Sequence, residues 1–183
     1  MAKKDTPNEA VKAPAEAPEG DKIIAQDMPI NIHAQYIRDL SFENPGAPES
    51  LRPSGTPPEM DINIGMDARK LEGDDTPNLF EVVLNVRASA LNGEEPVFIA
   101  ELQYGITVSI GSEVPEENHH PLLLIEIPRM AFPFVRQIMS NITVQGGFPP
   151  LLLNPVDFHA LYMNRFGKEI EAAQAEAASA AKN

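Results

Sequence analysis

Cysteine is absent from this 183-residue chain, so neither disulfide bonds nor thiolate chemistry can contribute to its structure or function. No apolar run approaches the roughly 18 residues that a membrane-spanning helix requires. The first twenty residues contain lysines but lack the apolar core of a secretory signal. We therefore expect a cytoplasmic protein that does not insert into a membrane.

Positive charge is scarce as well. The chain has 14 lysines and arginines against 27 aspartates and glutamates, a formal net charge of -13. Nucleic acids and anionic membrane surfaces attract basic side chains, so the composition argues against both as partners. The acids are concentrated, because residues 28–128 contain 17 acidic and five basic side chains, whereas residues 129–166 contain one and three. Such an acidic region suits a basic protein partner.

Composition divides the chain into three parts. Residues 1–27 are rich in Ala, Pro, Glu and Lys, a composition that cannot repay the entropy of folding, so they are predicted to be a disordered arm. Residues 28–166 are predicted to form a single folded domain. Residues 167–183 are rich in alanine and have few large side chains, so any helix there would lack a face to bury. They are predicted to be a flexible tail.

Four runs in the folded domain alternate apolar and polar residues with a period of two, the pattern of half-buried strands. They cover residues 30–43, 59–67, 79–90 and 96–110. Residues 91–94, Leu-Asn-Gly-Glu, predict a tight hairpin between the last two runs. The proline-rich residues 44–58 predict a long, stiff crossover connection between the first two. A four-stranded antiparallel sheet follows from this pattern.

Strict alternation in the first run predicts which side chains share a face. The apolar face would contain Ile30, Ile32, Ala34, Tyr36, Leu40 and Phe42. The polar face would contain Asn31, His33, Gln35, Asp39, Ser41 and Glu43, joined by Ile37. In the fourth run, Ile99, Glu101, Gln103 and Thr107 fall on the polar side.

The period changes to three and four residues between Arg129 and Gln145, which predicts a helix. Its apolar stripe is Ala131, Phe132, Val135, Ile138, Met139 and Ile142, and its polar side includes Arg136, Gln137, Ser140, Asn141 and Thr143. Pro128 suits the first turn, and the glycines at 146 and 147 end the helix. A second helix is predicted to start with Asn154 as its cap and Pro155 in its first turn. Four strands followed by two helices predict an α+β domain with both helices packed on one face of the sheet.

No familiar catalytic arrangement is present, since the sequence contains neither a phosphate-binding glycine loop nor a nucleophile motif. The adjacent His119 and His120 could form a metal site with Glu116 or Glu117. A solvated loop is the preferred interpretation, because adjacent side chains point in different directions and no further ligand is placed nearby. We expect no enzymatic activity, no cofactor and no metal site in this chain.

The segment GGFPPLLLNPVDF, residues 146–158, combines glycine and proline with three leucines and a single charge. Pro149 and Pro150 exclude a buried helix there, because each lacks an N–H donor and clashes with the preceding turn. Together with the apolar stripe of the first helix, this segment contributes more apolar surface than one sheet face can cover. Large apolar patches mark interaction sites, so the pattern indicates polypeptide binding.

Several strings of residues resemble the SecB family of export chaperones from Gram-negative bacteria. They are YIRDLSFENPGAP, LFEVVLNVRASA, FIAELQYG, FPFVRQIMSNI and GGFPPLLLNPVDFHALY, in the order that the family has them. The resemblance covers residues 30–166. It implies a SecB-like subunit that assembles as a homotetramer, a dimer of dimers. It also implies a chaperone that holds secretory precursors unfolded and delivers them to the SecA ATPase.

The resemblance implies roles for individual residues. An acidic sheet face would dock the basic, zinc-bearing segment of SecA at Asp39, Glu43, Ile99 and Glu101. A groove would bind extended precursor segments, with lining or support from Ile30, Ile32, Tyr36, Phe132, Phe134, Phe148, Leu151, Phe158 and Tyr162. The first helix would lie at the interface between dimers, through Val135, Ile138, Met139 and Ile142.

Two other functions can be compared with this one. A SecB-like adaptor or regulatory chaperone dedicated to one client, such as a toxin or antitoxin, would have the same sequence features. An acidic hydrolase is disfavoured because no catalytic constellation is present.

Overall fold

The computed structural model describes residues 29–52, 57–72 and 76–180, with side chains described as far as residue 172. Its strands are β1 (Ile30–Glu43), β2 (Glu59–Lys70), β3 (Leu79–Asn92) and β4 (Glu95–Ile110). They form one antiparallel sheet in the order β1-β4-β3-β2. The predicted sheet and hairpin are confirmed, and the hairpin turns at Gly93, whose φ of 65° favours glycine.

The two faces of the sheet differ in what covers them. The inner face carries Leu84 and Leu102, both buried beneath the helices, and the outer face carries Asn85 and Gln103. The core between the inner face and the helices includes Leu84, Leu102, Ile106, Ile127, Met139 and Phe158, each less than 2% exposed. Burying apolar side chains of this kind is the main stabilising contribution to the fold.

The prediction for the middle of β1 is wrong. The β1 ladder to β4 shifts register between Ile32 and Ala34 and again between Ile37 and Asp39. Each shift is a bulge that inserts one extra residue, His33 in the first and Arg38 in the second, and each reverses the alternation of faces. The sign of this irregularity in the sequence is Ile37, an apolar residue that strict alternation places on the polar face.

The bulges move four side chains of β1 to the face opposite the predicted one. Ala34 and Tyr36 lie on the outer face, where the Tyr36 hydroxyl bonds to Glu81. Gln35 and Ile37 lie on the inner face, where the Gln35 side-chain oxygen accepts a hydrogen bond from Tyr104 at 3.3 Å. The second bulge restores the predicted alternation, so residues 39–43 occupy the faces expected from the sequence.

The first helical run is longer than predicted. A 3-10 turn at Glu116–Asn118, a short helix α1 (His119–Pro121) and a π-helical turn at Leu122–Glu126 lead into α2 (Ile127–Gln145). The sequence missed this extension because its three consecutive leucines have no helical period. The predicted end of the helix and the place of Pro128 in its first turn are confirmed.

The structure corrects the prediction that Thr143 lies on the polar side of this helix. Thr143 is 0% exposed. Its hydroxyl donates to the Ser140 carbonyl at 2.9 Å and accepts the Leu151 N–H at 3.0 Å. The side chain is buried because the chain after the helix folds back over it.

The second helix, α3 (Phe158–Ala180), starts later than predicted. Its cap is Asp157, not Asn154, since the Asp157 Oδ1 atom accepts the Ala160 N–H at 3.0 Å. The predicted boundary after residue 166 falls inside this helix, and the flexibility of residues 167–183 stays a prediction. The predicted disordered arm, residues 1–27, lies outside the described residues. None of the helices over 29–52, 57–72 and 76–180 has the length and apolar character of a membrane span.

The position of Thr143 predicts the effect of one substitution. Thr143→Val preserves shape but leaves the part-buried Leu151 N–H without its acceptor, which should cost about 1 kcal/mol of unfolding free energy. Urea unfolding at a fixed protein concentration measures this. The control is Val144→Thr, the reverse change at a neighbouring position that is 52% exposed. Equal midpoints for the parent and Thr143→Val would contradict the assigned role.

Candidate functional site

A groove of about 630 Å³ opens at the end of the sheet where β1 finishes and β2 begins. Its walls come from the crossover connection, the hairpin end of the sheet, and the segment that follows α2. The lining residues are Glu49, Ser50, Leu51, Arg52, Pro57, Pro58, Met60, Asn92, Val97, Phe98, Gly147, Phe148, Pro149, Pro150, Leu151 and Leu152. Most of them are apolar, so the groove suits apolar segments of a polypeptide.

The segment after α2 enters the groove because the helix ends in a sharp turn. Gly147 has a φ of 87°, in the left-handed region that favours glycine. The Phe148 N–H donates to the Thr143 carbonyl at 3.0 Å, and the Gly147 N–H donates to the Val144 carbonyl at 3.0 Å. These two bonds form a Schellman motif, which ends the helix and directs the chain back across the sheet.

Three phenylalanine rings pack together at the groove, and two of them, Phe98 and Phe148, line it. The ring centroids of Phe98 and Phe148 are 4.8 Å apart, and the ring of Phe42 lies 5.6 Å from Phe98 and 6.2 Å from Phe148. Gly146 lies against the Phe42 ring, which occupies the space that a side chain at 146 would need. The two adjacent positions therefore require glycine for different reasons. A side chain at 146 would clash with the Phe42 ring, whereas 147 needs a positive φ.

The three leucines after the two prolines lie in different environments. Leu153 is 2% exposed and belongs to the core. Leu151 is half-buried, and its N–H donates to the Thr143 hydroxyl. Leu152 is 74% exposed on the wall of the groove. Because both of its neighbours are anchored, Leu152 is held at the surface although it is apolar.

Of the nine residues predicted to bind clients, the structure brings Phe148 and Leu151 to the groove. Phe132, Phe158 and Tyr162 are at most 5% exposed and support the fold from within the core. The remaining four lie away from the groove, namely Ile30, Ile32, Tyr36 and Phe134.

The sequence prediction missed Leu51, Met60, Val97 and Leu152 as groove residues. Leu51 could have been found, because it is the only large apolar side chain in the proline-rich residues 44–58. Met60 could not, since alternation alone does not show which end of the inner face the helices leave uncovered. Val97 could not either, since it is the extra residue at a register shift between β3 and β4.

The four residues predicted at an interface between dimers fall into two groups. Val135 and Met139 are 0% exposed within the chain's own core, so they are not available for direct contact with another subunit. Ile138 and Ile142 are half-buried and pack at the margin of that core. Their role at an interface stays a prediction.

The predicted docking residues meet on the outer face. In the ladder between β1 and β4, Glu43 lies directly opposite Ile99, and Ser41 lies directly opposite Glu101. Directly opposed residues of antiparallel strands share a face. Asp39 lies on the same face, two residues before Ser41. The four predicted positions therefore form one patch, which we call the docking face.

The outer face also contains a buried carboxylate that the sequence did not reveal. Glu81 is 4% exposed. Its Oε1 atom accepts the Tyr36 hydroxyl, and its Oε2 atom accepts Arg69 Nε at 2.5 Å and lies 3.4 Å from Arg38 Nη1. The Tyr36 hydrogen bond, followed by the arginines, lowers the pKa of Glu81 against the opposing effect of burial. The same hydrogen bond raises the pKa of Tyr36.

The structure corrects the preferred interpretation of His119 and His120 as part of a solvated loop. His119 is 8% exposed at the start of α1, edge-on to Phe80, with its Nε2 atom 3.1 Å from the Val114 carbonyl oxygen. The Nδ1 atom of His120 is 2.8 Å from the Tyr162 hydroxyl. Both histidines thus attach the start of the helical run to its surroundings. Within residues 29–52, 57–72 and 76–180, no three His, Asp or Glu side chains converge as metal ligands.

Known proteins share both sequence and fold with this chain. The family model of preprotein translocase subunit SecB matches residues 24–169. The protein-export protein SecB of Maricaulis maris is 48% identical over 153 residues, which cover 84% of this chain and 86% of that protein. Its counterpart in a Bradyrhizobium species is 46% identical over 147 residues, covering 80% and 88%.

A solved structure shows the same fold at low identity. It is a SecB-like chaperone of Mycobacterium tuberculosis in complex with an antitoxin peptide, with a TM-score of 0.54 and 15% identity. The match covers 69% of this chain and 87% of that one.

These relationships identify the chain as a chaperone of protein export. Its α+β fold has an apolar groove at one end and carboxylates on the open face of the sheet. Within that class, the chain belongs to the SecB family.

The lowered pKa of Glu81 predicts how stability changes with pH. Because the folded-state pKa lies below the ordinary value of 4.5, the ionised carboxylate stabilises the fold above pH 4.5. That contribution is lost as the pH falls through the folded-state pKa. Glu81→Gln should therefore lower stability at neutral pH and make it less sensitive to acid between about pH 6 and about pH 3.

Urea midpoints across this pH range test the prediction. Glu101→Gln is a suitable control, because it removes a carboxylate that pairs with Arg87 on the exposed surface. The control should keep the acid dependence of the parent protein. A parent-like acid dependence in Glu81→Gln would show that this carboxylate does not control it.

Proposed function

We propose that this chain works in the cytoplasm, holding secretory precursors unfolded in its groove and delivering them to the SecA ATPase. The observation that carries the proposal is the apolar groove, which remains open although the chain has its own complete core. Family membership supports the same function.

The walls of the groove suit unrelated sequences. Apolar contact is non-directional and scales with area, so Leu51, Met60 and Leu152 can attract any apolar segment. The pairs Pro57, Pro58 and Pro149, Pro150 lack N–H donors, and their fixed φ angles keep the walls stiff. Stiff walls lose little entropy when a client binds. Binding can therefore be broad and still reversible.

Because Leu152 is exposed, we expect that replacing it weakens client binding without lowering the stability of the fold. Leu152→Ser should weaken binding of unfolded precursors about fivefold, since losing part of a leucine contact costs about 1 kcal/mol. Unfolding free energy should change little. Suppression of precursor aggregation measures the first, and urea unfolding measures the second.

The matched control is Met163→Ser, on α3 at 40% exposure and outside the groove. Equal loss in both variants would count against the groove as the client site. Testing a panel of precursors also separates the alternatives, because protection of one client alone would favour a dedicated adaptor.

The docking face suits a basic segment of the ATPase. In the described part of the chain, Asp39 and Glu43 have no ion pair within 4.0 Å, whereas Glu101 pairs with Arg87. Carboxylates without an internal partner attract basic segments and speed their association. Because the docking face lies opposite the groove across the sheet, a client and the ATPase can bind at the same time.

Charge reversal on the docking face should weaken ATPase binding and leave client binding intact. Glu101→Lys places a cation beside Arg87 and should lower affinity about tenfold or more at low salt. Asp61→Lys makes the same change on the outer face of β2, outside the predicted patch, and serves as the control. Titration with SecA measures the affinity of both variants. Equal losses would indicate that SecA responds to the overall negative charge of the protein and not to a defined site.

Assembly as a dimer of dimers, the homotetramer implied by the resemblance, is part of the same proposal. The inner-face residues Ile32, Ile37 and Leu40 of β1 are 42%, 48% and 36% exposed, and Phe134 of α2 is 47% exposed. β1 is an edge strand of 14 residues. Apolar surface next to an unpaired edge supports association with further copies. Several grooves in one assembly would increase the avidity for long clients.

A further inference from the structure

We propose that Glu81 and Tyr36 are positioning residues for the docking face. Their hydrogen bond holds the bulge at Arg38, and that bulge directs Asp39 and Glu43 to the outer face. The inference rests on the proposed docking of the ATPase at these carboxylates.

The Tyr36 side chain reaches across a whole strand. Tyr36 on β1 is paired with Gly105 on β4, and its hydroxyl bonds to Glu81 on β3. A Cβ atom at Gly105 would lie 2.5 Å from Tyr36 Cε2 and 2.6 Å from Cζ. The ring therefore lies directly over the glycine, and only glycine leaves room for it. This contact joins the edge strand to the centre of the sheet.

Glu81 holds the bulge from both sides. It accepts the hydroxyl of Tyr36, two residues before the bulged residue, and its other oxygen lies 3.4 Å from the guanidinium of Arg38, the bulged residue itself. Arg69 from β2 bonds to the same oxygen. At 4% exposure the carboxylate is largely shielded from water, so removing a partner is costly.

The bulge decides what the outer face displays. Tyr36 points outward, so uninterrupted alternation would place Arg38, Leu40 and Phe42 outward as well. Asp39 and Glu43 would then point to the inner face. The extra residue at Arg38 reverses this order, which puts the carboxylates outside and Phe42 against Phe98 inside.

Core packing alone specifies this register weakly. Residues 31–40 of β1 are all exposed, and Ile30 and Phe42 at the two ends of the strand pack against the core, so between those ends few buried side chains penalise a slip. The hydrogen bonds to Glu81 fix the register of this segment, because they form only when Tyr36 and Arg38 both lie on the outer face.

The test compares affinity for SecA with the exchange of backbone amides in residues 36–43, using the full chain. Tyr36→Phe and Glu81→Gln should each weaken SecA binding about five- to tenfold and speed amide exchange in this segment, although no docking residue is changed. The double variant should lose less than the sum of the two single losses, because Tyr36→Phe and Glu81→Gln disturb the same network, although Glu81→Gln also removes the charge paired with Arg38 and Arg69. Simple loss of stability would not lower the affinity of the folded fraction.

Tyr104→Phe is the matched control. It removes a tyrosine hydroxyl from the neighbouring strand, but that hydroxyl bonds to Gln35 on the inner face and does not contact Glu81. It should bind SecA like the parent. Gly105→Ala provides a second route to the same effect, since the added Cβ displaces the Tyr36 ring. It also keeps the test decisive should Tyr36→Phe fold poorly.

Two failures can be told apart. If Glu101→Lys does not weaken SecA binding, the docking proposal itself is wrong. If Glu101→Lys weakens binding while Tyr36→Phe, Glu81→Gln and Gly105→Ala bind and exchange like the parent, the positioning role is overturned. Additive losses in the double variant would also overturn it.

Discussion

A pleated strand sends successive side chains to opposite faces, and both proposed surfaces depend on this geometry in β1 and β4. Phe42 and Phe98 stack on the inner face beside the groove, while their neighbours Glu43 and Ile99 face outward as a directly opposed pair. The groove and the docking face are therefore two sides of the same short stretch of ladder. A one-residue slip of β1 would turn Phe42 to the outer face and Glu43 to the inner face. The register of this strand is thus the constraint on which the other functional features depend.

The groove exists because apolar residues are kept exposed by anchored neighbours. Thr143 accepts the Leu151 N–H, and Leu153 enters the core, so Leu152 between them cannot fold inward. The Schellman motif at Gly147 fixes the direction in which this segment leaves α2. A hydroxyl, a left-handed glycine and two prolines thus hold one wall of the groove in place. This arrangement explains how a leucine can be 74% exposed in a well-packed chain.

The carboxylates of the outer face differ in burial and in ion pairing. Glu81 is enclosed by Tyr36, Arg38 and Arg69, so its charge is neutralised locally and contributes to strand register. Asp39 and Glu43 have no such partners in the described residues, and their charge is available to a basic segment. In the proposed function, the buried carboxylate and the two exposed ones on the same face therefore have different tasks, which burial and the presence of cations distinguish.

Local pattern in the sequence determined the four strands, the hairpin at Gly93 and the end of α2. Each depends on periodicity or on the backbone preference of a single residue. The bulges of β1, the burial of Thr143 and His119, and the lining of the groove were decided only by tertiary structure. Those features arise when residues distant in sequence meet, as Tyr36 meets Glu81 and Thr143 meets Leu151. Period and propensity are properties of neighbouring residues, so they contain no information about such contacts.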